Sequence, residues 1–105
     1  MAIVAVSISP IGEAVSVSKF VGAALDVVQA QERIRFRLDP MFTTLEGEMS
    51  EVYALISDMQ EAVFAAGATR VSTVIKIDDR RDRAVSMEDK VKSALDKTQI
   101  KTANR

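Results

Sequence analysis

Cysteine, histidine and tryptophan are missing altogether from the 105 residues of this chain. Without cysteine there is no disulfide, no thiolate nucleophile and no thiolate-ligated zinc or iron–sulfur cluster. Without histidine the usual general base and the commonest metal ligand are gone, and a Ser-His-Asp triad cannot be assembled from this chain alone. Acid–base chemistry is left to Asp, Glu, Lys and the single tyrosine, Tyr53, so the composition points away from an enzyme. Proline (2) and glycine (4) are too scarce for a collagen-like or linker-rich chain. Neither charge sign dominates: the net charge is -1, whereas a nucleic-acid binder carries a basic excess. The opening apolar run, Met1 to Val6, is too short to cross a membrane and lacks the basic flank of a secretory signal. The expectation is a cytoplasmic protein with neither a membrane nor a nucleic-acid partner.

What remains is ordinary globular material, 48% apolar and 28% charged, at a length that suits one domain over 1–105 with an ordered core of about 2–97. Ala2 to Ser9 alternates Val4, Val6 and Ile8 with Ile3, Ala5, Ser7 and Ser9, both sides opening apolar, as in a central strand. Pro10 and Gly12 end it. Val17, Phe20, Val21, Ala24, Leu25 and Val28 recur at helical spacing and predict a helix from Ser16 to about Gln31, capped by Ser16 or Ser18. Gly22 inside it marks close packing or nothing. Ile34, Phe36 and Leu38 alternate with Arg33, Arg35 and Arg37, a strand with one basic face. It is joined through Asp39-Pro40 to a second extended run, Phe42 to Glu46, most simply as a hairpin.

Ser50 to Ala66 is the clearest helix, with Val52, Leu55, Ile56, Met59, Val63 and Phe64 as its stripe and Gly67 at its C-terminus. Its outer face is acidic at Glu51, Asp58 and Glu61. Thr69 to Asp78 is a long β-branched strand. Ser86 with Asp89 forms a capping-box pattern before a short helix striped by Met87, Val91, Ala94 and Leu95. The order β-α-β-β-α-β plus a terminal helix predicts an α+β, ferredoxin-like fold: a four-stranded antiparallel sheet with helices on one face. Its other face is left open and wants a second subunit or a ligand.

The segments AIVAVSISPIG, SVSKFV, LDPMFTTLEGEMSEV, EAVFAAGATRVSTVIKIDDRRD and MEDKV, in this order and spacing, resemble the thiamine-binding-like family, small proteins related to thiamine/hydroxymethylpyrimidine-binding proteins. The densest blocks are Leu38 to Met41, Leu45 to Gly47 and Lys76 to Asp82, within a resemblance covering about residues 2–95. It implies the ferredoxin-like fold, homo-oligomers built as strand-edge dimers and often tetramers, and binding without catalysis. Members commonly carry glycine where Phe42 stands, so a ring here narrows a pocket or adds a stacking surface.

The candidate binding residues follow from both readings. Glu46, on the same side as Phe42 and Thr44, suits the amino group of an aminopyrimidine, with Thr43 or Thr44 supplying a hydroxyl. Ser7 and Ser9 offer hydroxyls beside Ile3 and Ala5. Asp78 and Asp79 suit a cationic ring, while Arg80 and Arg81 suit an anion such as phosphate or sulfate. Each also reads as an exposed charge or a satisfied hydroxyl. No octahedral carboxylate set can be named, so neither metal nor cofactor is expected. Arg33, Arg35 and Arg37 read as edge protection or as partners for acids of another subunit. RNA binding would need exposed aromatics on the sheet, and the first strand has none.

Two functions fit. One is a noncatalytic, homo-oligomeric binder of thiamine or a related hydroxymethylpyrimidine compound. The other is a structural or regulatory oligomer without a metabolite. The last strand is expected to outrun a shorter first strand and to pair with its copy in a second subunit, two such dimers giving a tetramer.

Overall fold

Strand alternation decides which residues the helices cover. The computed structural model describes residues 1–12 and 17–98. Its elements are β1 (Ala2–Pro10), α1 (Ser18–Gln29), β2 (Arg35–Leu38), β3 (Thr43–Gly47), α2 (Met49–Ala65), β4 (Val71–Asp79) and α3 (Met87–Asp96). The strands form one antiparallel sheet in the order β2-β3-β1-β4, the ferredoxin-like α+β arrangement that the pattern predicts. β1 is central, and its even residues Ala2, Val4, Val6 and Ile8 are buried against Leu45, Phe20, Val28, Val52, Leu55, Ile56, Met59 and Val63. α1 and α2 therefore cover the even face of β1.

The odd face carries Ile3, Ala5, Ser7 and Ser9, with Thr44 and Glu46 from β3, Arg35 and Arg37 from β2, and Ser72 to Asp78 in alternation from β4. Expected to be wholly open, it is covered at one end by α3. Met87, the first residue of that helix, is buried and donates its N–H to Glu46 Oε1 at 2.7 Å. The Ser86–Asp89 capping box is present as the sequence predicts. The rest of the α3 stripe is not buried: Val91 is exposed and Leu95 half-buried.

Several local expectations are corrected. β1 is nine residues long, the same as β4, and pairs with it from Ala2↔Asp79 to Pro10↔Val71, so β4 does not outrun its partner. α1 has Val17 and α2 has Glu48 at the N-cap, neither with a side-chain cap bond. Ser18 thus falls inside α1, and Ser16 lies outside the described residues. Phe64 leaves the core stripe and is exposed. A Cβ on Gly22 would meet open space, so close packing does not explain this glycine. Gly67, with φ +118°, does terminate α2: its N–H reaches Phe64 O and the Ala68 N–H reaches Val63 O, a Schellman pair that L side chains disfavour.

The basic residues around β2 are paired within the chain rather than waiting for a partner. Arg33 meets Glu51, Arg35 meets Glu46 and Glu88, and Arg37 meets Asp39.

Candidate functional site

Unequal strand lengths open a gap in the sheet. β3 pairs with β1 only as far as Val6↔Thr43, while β1 continues to Pro10 along β4. The Ile11 N–H donates to Arg70 O at 2.8 Å, continuing the same register. In an antiparallel ladder both main-chain groups of one residue point to the same neighbour, and successive residues alternate. Odd residues of β1 therefore bond to β4, and even residues face β3. Ile8 is the first even residue beyond the end of β3. Among the described residues, no strand lies along its N–H and C=O on that side. Pro10, next in the series, brings no N–H to that edge, which is why a proline is tolerated in a strand otherwise central.

The β2–β3 turn and α1 wall this space. Leu38, Asp39, Pro40, Met41, Phe42 and Thr43 come from the turn, Val17, Val21, Ala24 and Leu25 from α1, and Met59 from α2. The cleft measures about 250 Å³. The turn is closed by the Asp39 N–H donating to Phe42 O at 3.0 Å. Its walls are apolar, and its polar groups are few. Among the described residues the Asp39 carboxylate makes only long contacts of 3.4 Å, from Arg37 and from the Thr44 hydroxyl. Thr43 is buried, and no hydrogen bond joins its hydroxyl to another described residue. Apolar walls with a few convergent polar groups are the usual build of a small-ligand site.

The expected site residues are divided between the two ends of the sheet. Phe42 and Thr43 line this cleft. Ser7 and Ser9 also line it, but alternation sends their side chains to the odd face, so they contribute main chain. Thr44 lies on that odd face, half-buried, with its hydroxyl toward Asp39. Glu46 is at the far end under α3, 4% exposed, with Oε2 taken by Arg35 at 2.6 Å and Oε1 by the Met87 amide.

The charged run follows β4 at that same far end. Asp78 pairs with Lys90, and Asp79 with Arg81 at 3.2 Å. Arg80 clamps Asp82 through Nε and Nη2. Lys90 donates to the Asp78 carboxyl and holds it below its ordinary value, and Arg80 holds Asp82 down at about 2. Sequence reasoning passed over Asp39 and the Ile8 main chain. The first sat inside the Asp39-Pro40 turn signal, and the second had a signal only in Pro10.

Among the described residues, no cluster of three potential metal ligands occurs, and no helix is long and apolar enough to cross a membrane. Residues 4–95 match the family model described as thiamine-binding protein. The chain is 45% identical over 97 residues to UPF0045 protein YqgV of Bacillus subtilis, covering 89% of this chain and 93% of that protein. Among solved structures, protein MJ1052 of Methanocaldococcus jannaschii superposes with a TM-score of 0.81 at 31% identity, covering 89% of this chain and 94% of that one. A domain of unknown function from Bacillus cereus gives 0.77 at 31%, covering 95% and 92%.

Proposed function

This chain belongs to the thiamine-binding protein family, a class of small noncatalytic binding proteins, and from that premise we propose that it binds thiamine or a related hydroxymethylpyrimidine in the cleft beside Ile8. The observation that carries the reading is a main chain that no strand among the described residues pairs with there. An extended residue presents N–H and C=O side by side, one donor and one acceptor. A 4-aminopyrimidine presents the complement on one edge, a ring nitrogen that accepts and an amino group that donates. Main-chain groups in an apolar, partly dehydrated cleft gain more from such a pair than they do in water. Phe42 and Met41 offer faces for the ring, the Thr43 hydroxyl a further hydrogen bond, and Asp39 a carboxylate for a cationic substituent. Ser7 and Ser9 give the cleft only main-chain surface, because their N–H and C=O groups pair with β4. The volume, a little below the usual range for ligand pockets, suits one ring with small substituents.

The same reading gives the protein a homo-oligomeric form. β4 is an edge strand whose odd residues turn their N–H and C=O outward, by the register that ties its even residues to β1. Val74, Ile75 and Ile77 are exposed along it. Gln60 of α2 reaches Thr73, and Tyr53 and Phe64, exposed at helical spacing from Gln60, extend the apolar margin. An unprotected β-branched edge of this kind suits pairing with β4 of a second copy, and two such dimers would make a tetramer.

Calorimetric titration tests the ligand. Hydroxymethylpyrimidine and thiamine should bind saturably, and Asp39→Asn should weaken thiamine more than the uncharged pyrimidine. Absence of heat and of any thermal shift at millimolar ligand would overturn the proposal and favour the purely structural oligomer.

A further inference from the structure

A second cleft, of about 310 Å³, lies at the opposite end of the sheet between α3 and the segment after β4. Lys90, Ser93 and Lys97 line it from one face of α3, at positions i, i+3 and i+7, and Arg80 and Arg83 line it from the loop. Ile3 and Val85 add apolar surface. Two of the four cations are already neutralised, Lys90 by Asp78 and Arg80 by Asp82. Arg83 and Lys97 form no ion pair among the described residues. Asp89, in the α3 first turn beside this loop, accepts from the Ser86 amide in the capping box and keeps its negative charge, which attracts Arg83 at longer range. The cleft thus holds two cations outside any ion pair among the described residues, a guanidinium with a planar donor fork and an ammonium, which Asp89 and Asp96 attract only at longer range, with a hydroxyl beside them and an apolar floor.

We propose that this cleft binds the dianionic head of a phosphate monoester, Arg83 and Lys97 taking the phosphate oxygens, Ser93 donating its hydroxyl, and the organic part lying on Ile3 and Val85. Two cations with no ion-pair partner among the described residues are free to close on a phosphate, and guanidinium with phosphate is a charge-assisted, geometrically matched pair. The apolar floor has no role for inorganic phosphate, which is why the assignment is to a monoester. This site is separate from the cleft at Ile8 and does not depend on what binds there.

The test is calorimetry on the full chain at low ionic strength with phenyl phosphate and with inorganic phosphate. Phenyl phosphate should bind saturably and about tenfold more tightly than inorganic phosphate. Arg83→Ala and Lys97→Ala, both at exposed positions, should each weaken it about tenfold, and Arg81→Ala, whose side chain pairs with Asp79 outside this cleft, should not. Equal affinity for the two anions would overturn the monoester assignment. No saturable heat, or binding that Arg83→Ala and Lys97→Ala leave unchanged, would overturn the site itself. A failure here with hydroxymethylpyrimidine still binding would leave the first cleft standing, and the converse holds.

Discussion

Replacing Glu46 with alanine should release α3 from the sheet while the rest of the fold stays intact. The Glu46 carboxylate is the acceptor for the Met87 amide, and both residues are 4% exposed. Removing it strands a buried N–H, which costs about 1–3 kcal/mol. Arg35, by contrast, is half-exposed and keeps Glu88 and water, so its lost bond to Glu46 adds little. The cost falls on α3 because its other ties, Arg35–Glu88 and Lys90–Asp78, are exposed pairs. Amide hydrogen exchange is therefore the assay, since it resolves local opening that a global unfolding curve averages away. Protection in α3 should fall by roughly five- to 150-fold, the equivalent of that energy, with β1 and α2 unchanged. Glu46→Gln keeps an oxygen for the Met87 amide and should retain most of the protection. Unchanged α3 protection in Glu46→Ala, or an equal loss throughout the sheet, would refute the anchoring argument.

Three further outcomes are expected. Gly22→Ala should stabilise the protein by about 0.5–1 kcal/mol in urea unfolding, since the helix gains propensity and the new methyl meets open space; a loss of stability would contradict that. If the proposed β4-paired oligomer forms, Ile75→Pro should dissociate it in light scattering while circular dichroism keeps the fold, because the Ile75 N–H points outward, whereas Val74→Pro should unfold the chain because Val74 bonds to Ser7; an unmodified protein of monomer mass, or an Ile75→Pro oligomer of unchanged mass, would remove β4 from the interface. The pH dependence follows from Asp78, depressed chiefly by its hydrogen bond from Lys90, and Asp82, held at about 2 by Arg80. Depressed carboxyls stabilise the folded state above the ordinary value of 3.8, and that stability goes as pH falls through the depressed ones. Exchange protection in α3 should be flat from neutral pH to about 5 and begin to fall below 3.8 as Asp78 is protonated; protection that stays full once the Asp78 carboxyl, followed by its NMR titration, is protonated would show that the Lys90 pair contributes nothing.

The sheet and its two covering helices were legible because each carries a strong period. Val4, Val6 and Ile8 specify one face of β1, and Val52, Leu55, Ile56, Met59 and Val63 specify the stripe of α2. The capping box at Ser86 was readable because two side chains at fixed spacing perform it. What could not be read was where α3 goes. Its docking rests on one buried methionine and on an amide bonded to a carboxylate 41 residues earlier in the chain, and no local pattern encodes such a contact. Caps at Val17 and Glu48 were missed because neither uses a side chain. The division of the candidate residues was hidden for a related reason. Thr43, Thr44 and Glu46 are close in sequence, but alternation and the end of β3 at Thr43 send them to different faces and different ends. The gap at Ile8 arises from a difference between two strand lengths, nine residues against five, and strand ends are the least determined feature of a sequence pattern.

The most direct measurement is the map of amide chemical-shift changes on titrating hydroxymethylpyrimidine into the isotope-labelled protein. Changes centred on the Ile8 amide, the turn from Asp39 to Thr43 and the Val21 side of α1 are the predicted result. A saturable titration whose changes cluster instead at Glu46, Asp78 and α3, or one that moves no amide in the Ile8 cleft, would contradict it.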